Sequence, residues 1–176
     1  MRENFAQTYP QSPTTQMTQE YQFEITVLDP RLNEWGLPKY QTPQSAGIDL
    51  IACIDEPLHL LPQQAAVLVP TGIAVHMNSA GVCSFILPRS GLGHKKGLVL
   101  GIGTGVIDAD YREQCFISVW NRNPSSSHQT IVINPGERIA QMVFLPVIRP
   151  AFKIVETFTH TSERSGGFGS TGLKAV

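Results

Sequence analysis

The chain has 176 residues, with 13 basic against 14 acidic side chains, a net charge of -1 and 41% hydrophobic residues. That length suits one domain with a proper core and leaves a second cramped. The balanced charge excludes a broad electrostatic pull toward nucleic acid or an anionic membrane, so any phosphate recognition must be local.

Residues 1–20 are Gln, Thr, Ser and Pro with little apolar content. Such a composition cannot offset ordering entropy, so a disordered tail is expected, with Met17 as a second plausible start ahead of the first patterned segment. The opening lacks the basic and apolar regions of a signal peptide, and no run approaches the roughly 20 apolar residues of a membrane span. A soluble, cytoplasmic protein is expected.

From Phe23 the texture changes to short runs rich in Val, Ile and Phe: FEITVL, AVLVP, GIAVHM, VCSFILP, GLVLG, CFISVW, TIVINP and IAQMVFLPV. Several alternate, as in Phe23, Ile25, Val27 and in Phe116, Ser118, Trp120. Pro62, Pro70, Pro88, Pro135 and Pro146 stand at run ends, where a residue without an N–H does least harm to a ladder. No segment carries a 3.6-residue stripe over three turns. The pattern predicts an all-β sandwich or barrel over residues 21–150. FKIVETF predicts one further strand after Pro150. The glycine-dense TSERSGGFGSTG predicts a mobile arm, so residues 151–176 read as a strand followed by a lid.

Cys53, Cys83 and Cys115 are odd in number and widely spaced, which fits small buried residues in a reducing compartment better than a disulfide framework or a zinc set. His59, His76, His94, His128 and His160 lack the paired spacing a metal needs. Gly167, Gly169 and Gly172 match G-x-G-x-x-G, but no helix can follow before the chain ends, and GLGHKKG is no P-loop.

The remaining motifs each admit two readings. PRSGLGHKKG (88–97) sets Arg89 and Ser90 beside glycines, as either a phosphate cradle or a solvated basic turn. Asp49 in SAGIDL is a ligand or a turn cap. In GERIAQ, Glu137 and Arg138 can pair at a strand entrance, and Gln141 is a polar group among apolar neighbours. Phe168 is an idle tail residue or a lid that stacks on a flat ligand. In GTGVIDADYR, Asp108 and Asp110 share one face if the chain is extended, whereas Asp and Gly also make ordinary hairpin turns.

In order, SAGIDL, PRSGLG, GVIDADY, ERIAQMVF and GGFGSTG resemble the five motifs of the trimeric deoxyuridine triphosphatase family over residues 25–172, with LPRSGLGHKKGLVLG and ISVWNR similar to bacterial members. The resemblance implies a jelly-roll-like homotrimer with active sites shared by all three chains. It implies hydrolysis of dUTP to dUMP and pyrophosphate, which keeps uracil out of DNA and supplies dUMP for thymidylate synthesis. It assigns Asp108 as the general base toward water attacking the α-phosphorus and Asp49 as a holder of waters on a substrate-borne Mg²⁺. Arg89, Ser90 and Gly91 become the phosphate loop, and Gln141 a phosphate-side contact. Tyr111 lies beneath the deoxyribose, the edge Gly105, Val106 and Ile107 reads uracil, Arg164 reaches the γ-phosphate, and Phe168 closes over the base.

Three departures bear on the site. Ile102 stands where bacterial members usually have Asn, Glu113 replaces a usual Gly after DYR, and Ser165 alone separates Arg164 from GG, one residue fewer than usual. Two other readings compete. The related deoxycytidine triphosphate deaminases carry a second serine where Gly91 stands, and a nucleotide-dependent binding module would signal through its trimer surface.

Overall fold

The computed structural model describes residues 21–159, and each of the eight apolar runs forms a strand there. In chain order the strands are β1 (Glu24–Val27), β2 (Gly47–Ile51), β3 (Leu58–Leu60), β4 (Val67–Pro70), β5 (Ile73–His76), β6 (Val82–Pro88), β7 (Leu98–Leu100), β8 (Gly105–Ile107), β9 (Phe116–Asn121), β10 (Ile131–Ile133) and β11 (Arg138–Pro146). A single helical turn, α1 (Leu32–Trp35), and a π-helical turn at Leu92–Lys96 interrupt them. Pro70, Pro88 and Pro146 are the last residues of their strands, where the missing N–H costs least.

All pairings are antiparallel. They form a four-stranded sheet β2-β11-β6-β8, a three-stranded sheet β4-β9-β7 and the ribbons β1-β5 and β3-β10, a jelly-roll-like all-β architecture. Leu50, Leu60, Ile73, Met77, Ile117, Ile133 and Met142 are fully buried within one contiguous core.

The four-stranded sheet positions the functional residues. Directly paired residues share a face, so Leu50, Ala140, Met142, Ile86 and Ser84 form its core side, all buried. The opposite side carries Val106, Phe85, Val143, Cys83 and Leu145 at one end and Asp49, Gln141 and Leu87 at the other. The end with Val106 and Phe85 is apolar yet only half-covered, and Val106 is 57% exposed.

In β9 the alternation runs in the opposite phase to the aromatic one. Ile117, Val119 and Asn121 are buried, while Phe116, Ser118 and Trp120 face outward. Asn121 ends the inward row by donating its side-chain amide to Leu60 O at 2.9 Å and Gln129 O at 2.8 Å, and its Oδ1 accepts from Asn123 N. Asn121→Ala leaves these buried backbone groups without partners and should destabilise the fold by about 2–4 kcal/mol. A denaturation midpoint unchanged at fixed protein concentration would refute that role.

Cys53 and Cys115 are buried and Cys83 half-buried, all as free thiols. Burial, helped by the nearby Asp29 carboxylate, pushes the Cys53 thiol up to about 11, and burial likewise raises that of Cys115. Neither is a thiolate near neutral pH.

The expected strand after Pro150 does not form. Residues 151–159 are exposed and irregular, with Phe152 and Ile154 more than 90% open to solvent. A strand needs an edge to pair with, and no strand among the described residues pairs with this segment. The tail 1–20 and the arm residues Arg164 and Phe168 lie outside the described residues. No helix among the described residues is long and apolar enough to cross a membrane.

Candidate active site

Five of the residues singled out in the sequence meet in one cleft of about 490 Å³, lined by Asp49, Arg89, Ser90, Gly91 and Gln141 together with Gln41 and Ser45. The sheet brings them together. Gln141 on β11 pairs directly with Asp49 on β2, and Arg89 follows Pro88 at the end of β6, which pairs with Ala140.

Asp49 is held between two cations. Its Oδ1 lies 3.2 Å from Arg89 Nε, and its Oδ2 accepts from Arg138 Nη1 at 3.0 Å. Arg89 Nη1 also donates to Arg138 O at 2.9 Å, so the loop after β6 is tied to β11. Gln141 Nε2 reaches Pro88 O at 3.3 Å. Two guanidiniums against one carboxylate leave this corner with a net positive charge, the sign an anionic ligand requires.

Gly91 has an ordinary φ of -64°, and a Cβ built there meets nothing within 4 Å. Nothing among the described residues therefore demands glycine. A ligand that approaches the backbone closely would.

The second group of residues lies elsewhere. β8 carries Gly105 to Ile107 and pairs with β6 so that Ile107 stands opposite Ser84, and Asp108 follows toward Cys83. Arg89 lies six residues further along β6, which at about 3.3 Å per residue places Asp108 roughly 20 Å from the cleft, beyond the span of one triphosphate chain. Asp108 is exposed and lines a separate cavity of about 540 Å³ with Cys83, Phe85, Val106 and Arg149.

Asp108 and Asp110 do not share a strand face. β8 ends at Ile107, and Tyr111 N donates to Asp108 O at 3.2 Å, closing a turn that sends Asp110 to another cavity beside His76 and Arg149. Tyr111 is half-buried and fixed by donation of its hydroxyl to Gln114 O at 2.9 Å. Ile102 is 65% exposed, with its Cδ1 3.7 Å from where a Cβ on Gly105 would stand, and Glu113 points to solvent.

Nor do Glu137 and Arg138 pair at the strand entrance. Glu137 accepts from Asn134 N and lies 3.8 Å from Lys96 Nζ, while Arg138 turns to Asp49. Sequence reasoning missed Arg138 as a site residue because a register step in β11 decides which way it points. Gln41 carried no motif signal, and Ser45 opens SAGIDL without having been singled out.

A dUTPase family model matches residues 33–172. The chain belongs to the dUTPase family. It is 51% identical over 152 residues to the deoxyuridine 5'-triphosphate nucleotidohydrolase of Tolumonas auensis, covering 86% of this chain and 97% of that protein. The corresponding protein of Xanthomonas campestris pv. campestris is 49% identical over 159 residues, covering 90% and 100%. Among solved structures, the Staphylococcus bacteriophage 80alpha dUTPase with dUpNHpp superposes with a TM-score of 0.73 at 28% identity over 86% of this chain and 99% of its own. A point mutant of the dUTPase from phage phi11 of S. aureus, which coordinates a structural Mg(II) ion, gives a TM-score of 0.69 at 25% identity over 79% and 99%. The family match leaves the dCTP deaminase reading without support.

Proposed function

We propose that the protein hydrolyses dUTP to dUMP and pyrophosphate as a homotrimer, with the phosphates in the Asp49–Arg89 cleft of one protomer and the β8 hairpin supplied by another. The observation that carries this reading is the roughly 20 Å between two motif groups that must act on one phosphorus, a distance that neighbouring copies can close. The apolar, half-covered end of the β2-β11-β6-β8 sheet supports the same assembly, since Phe85, Val106, Val143 and Leu145 are a face that a second copy would cover.

In that arrangement Arg89 and the Ser90–Gly91 backbone grip the phosphate oxygens, and Gln141 steadies the same side. Asp108, exposed at the end of β8, takes a proton from the water attacking the α-phosphorus. Tyr111, anchored through its hydroxyl, supports the sugar and leaves no room for a 2′-hydroxyl. The backbone edge Gly105–Ile107 reads uracil, and Arg164 and Phe168 complete the site from the arm.

Among the described residues Asp49 is the one carboxylate lining the cleft, and no group of three or more His, Cys, Asp or Glu there could hold a metal. So sparse a donor set fits a Mg²⁺ that arrives on the triphosphate and is steadied through water by Asp49. When bound, Mg²⁺ supplies charge neutralisation along the phosphate chain.

The test is to incubate the protein with each deoxynucleoside triphosphate and with UTP, with and without Mg²⁺, and to measure pyrophosphate. Release from dUTP alone, abolished by EDTA, is expected. Comparable release from UTP would remove Tyr111 from beneath the sugar, and ammonia from dCTP would overturn the reading.

A further inference from the structure

We propose that Arg138 is a positioning residue for the triphosphate, holding the Asp49 carboxylate so that Arg89 stays free to meet phosphate. The inference rests on the phosphate reading of the cleft.

Backbone parity is the first observation. In a regular strand Arg138, three residues before Gln141, would point to the opposite side of the sheet from Asp49. β11 instead steps in register between Arg138, which pairs with Ile51, and Ala140, which pairs with Leu50. Ile139 is the extra residue of this bulge, and the two consecutive buried residues Ile139 and Ala140 are its mark. The bulge reverses the parity and puts Arg138 on the side of Asp49, the kind of re-aiming for which bulges are suited.

Donor use is the second. Arg89 pairs electrostatically with Asp49, its Nε 3.2 Å from Oδ1, and commits one N–H from Nη1 to Arg138 O. Of its five N–H groups, four make no hydrogen bond among the described residues. Asp49 is 9% exposed, so its charge is felt strongly, and its second oxygen is occupied by Arg138. Without Arg138 that oxygen would seek the fork geometry that carboxylates prefer with a guanidinium. The nearest guanidinium is Arg89, which would lose both donors and net charge to the pairing.

Placement is the third. Arg138 does not line the phosphate cleft but an adjoining cavity of about 290 Å³ with Trp35 and Lys39, which shares Asp49 and Gln41 with the cleft. It therefore acts through Asp49 rather than on phosphate.

Binding of inorganic triphosphate in EDTA, measured by calorimetry on the full-length protein, isolates this role because Asp49 then has no Mg²⁺ waters to hold. Arg138→Gln should weaken binding by about tenfold in the native background but by less than about threefold in an Asp49→Asn background, the coupling expected of a residue acting through its partner. In steady state with dUTP and Mg²⁺, Arg138→Gln should raise KM by about tenfold and leave kcat within about threefold. Arg138→Lys keeps the charge but not the fork and should fall between; it also guards against a fold defect in the glutamine variant. Equal losses in both backgrounds would make Arg138 a direct phosphate ligand and overturn the proposal, as would no loss in either. Arg89→Gln binding as tightly as the wild type would instead overturn the phosphate reading itself, and this inference with it.

Discussion

Asp108→Asn should lower the single-turnover rate on dUTP by roughly 10²–10⁴, the usual worth of a positioned general base. Asparagine keeps the size and much of the hydrogen bonding but cannot accept the proton of the attacking water. Binding should survive, because the cleft of Asp49, Arg89, Ser90, Gly91 and Gln141 lies roughly 20 Å away within the protomer and is untouched. A non-hydrolysable dUTP analogue with Mg²⁺ should therefore bind the variant nearly as well as the wild type. Asp110→Asn is the internal control. Asp110 is two residues away but faces a different cavity, beside His76 and Arg149, and lies within the turn closed by Tyr111 N to Asp108 O. Its loss should loosen the hairpin and weaken binding while affecting the chemical step less. If Asp110→Asn were the slower at saturating substrate and Asp108→Asn near normal, the base would be misassigned.

Much of this was legible in the residues, and what was not shares a physical cause. Apolar runs bounded by proline predicted strands, since proline can end a ladder but not sit within one, and all eight runs are strands. The phase of β9 was hidden because aromatic residues alternate outward there while Ile117 and Val119 alternate inward, and period alone does not say which set meets the core. The short β3 has too few residues to carry a period. The bulge at Ile139 was invisible because register is set between strands, so Arg138 looked like a partner for Glu137 when it belongs to Asp49. FKIVETF has the composition of a strand, yet composition supplies no edge to pair with, and residues 151–159 stay irregular. At the site, the motifs contain Asp49, Arg89, Ser90, Gly91 and Gln141, which meet in one cleft, while the distance from that cleft to Asp108 waited on the pairing of β6 with β8.

That distance gives the sharpest test of the assembly. Arg89→Ala removes the phosphate grip from one kind of chain and Asp108→Asn removes the base from another, so homotrimers of either should be nearly inactive. When the two are unfolded together and refolded at equal amounts, chains assort at random around the ring. A site then has an intact Asp108 from one protomer in half of cases and an intact Arg89 from its neighbour in half, so about a quarter of wild-type activity should return in a closed three-fold assembly. Sites built within one chain can never combine the two intact residues and would recover nothing. The two folded proteins mixed without denaturation should stay inactive, which separates subunit exchange from contamination. Recovery near a quarter requires that Asp108 and Arg89 reach one substrate from different chains. Failure to recover, with trimers confirmed by sedimentation, would mean that one protomer carries both, and that the chain between Cys83 and Arg89 folds back to bring Asp108 to the cleft.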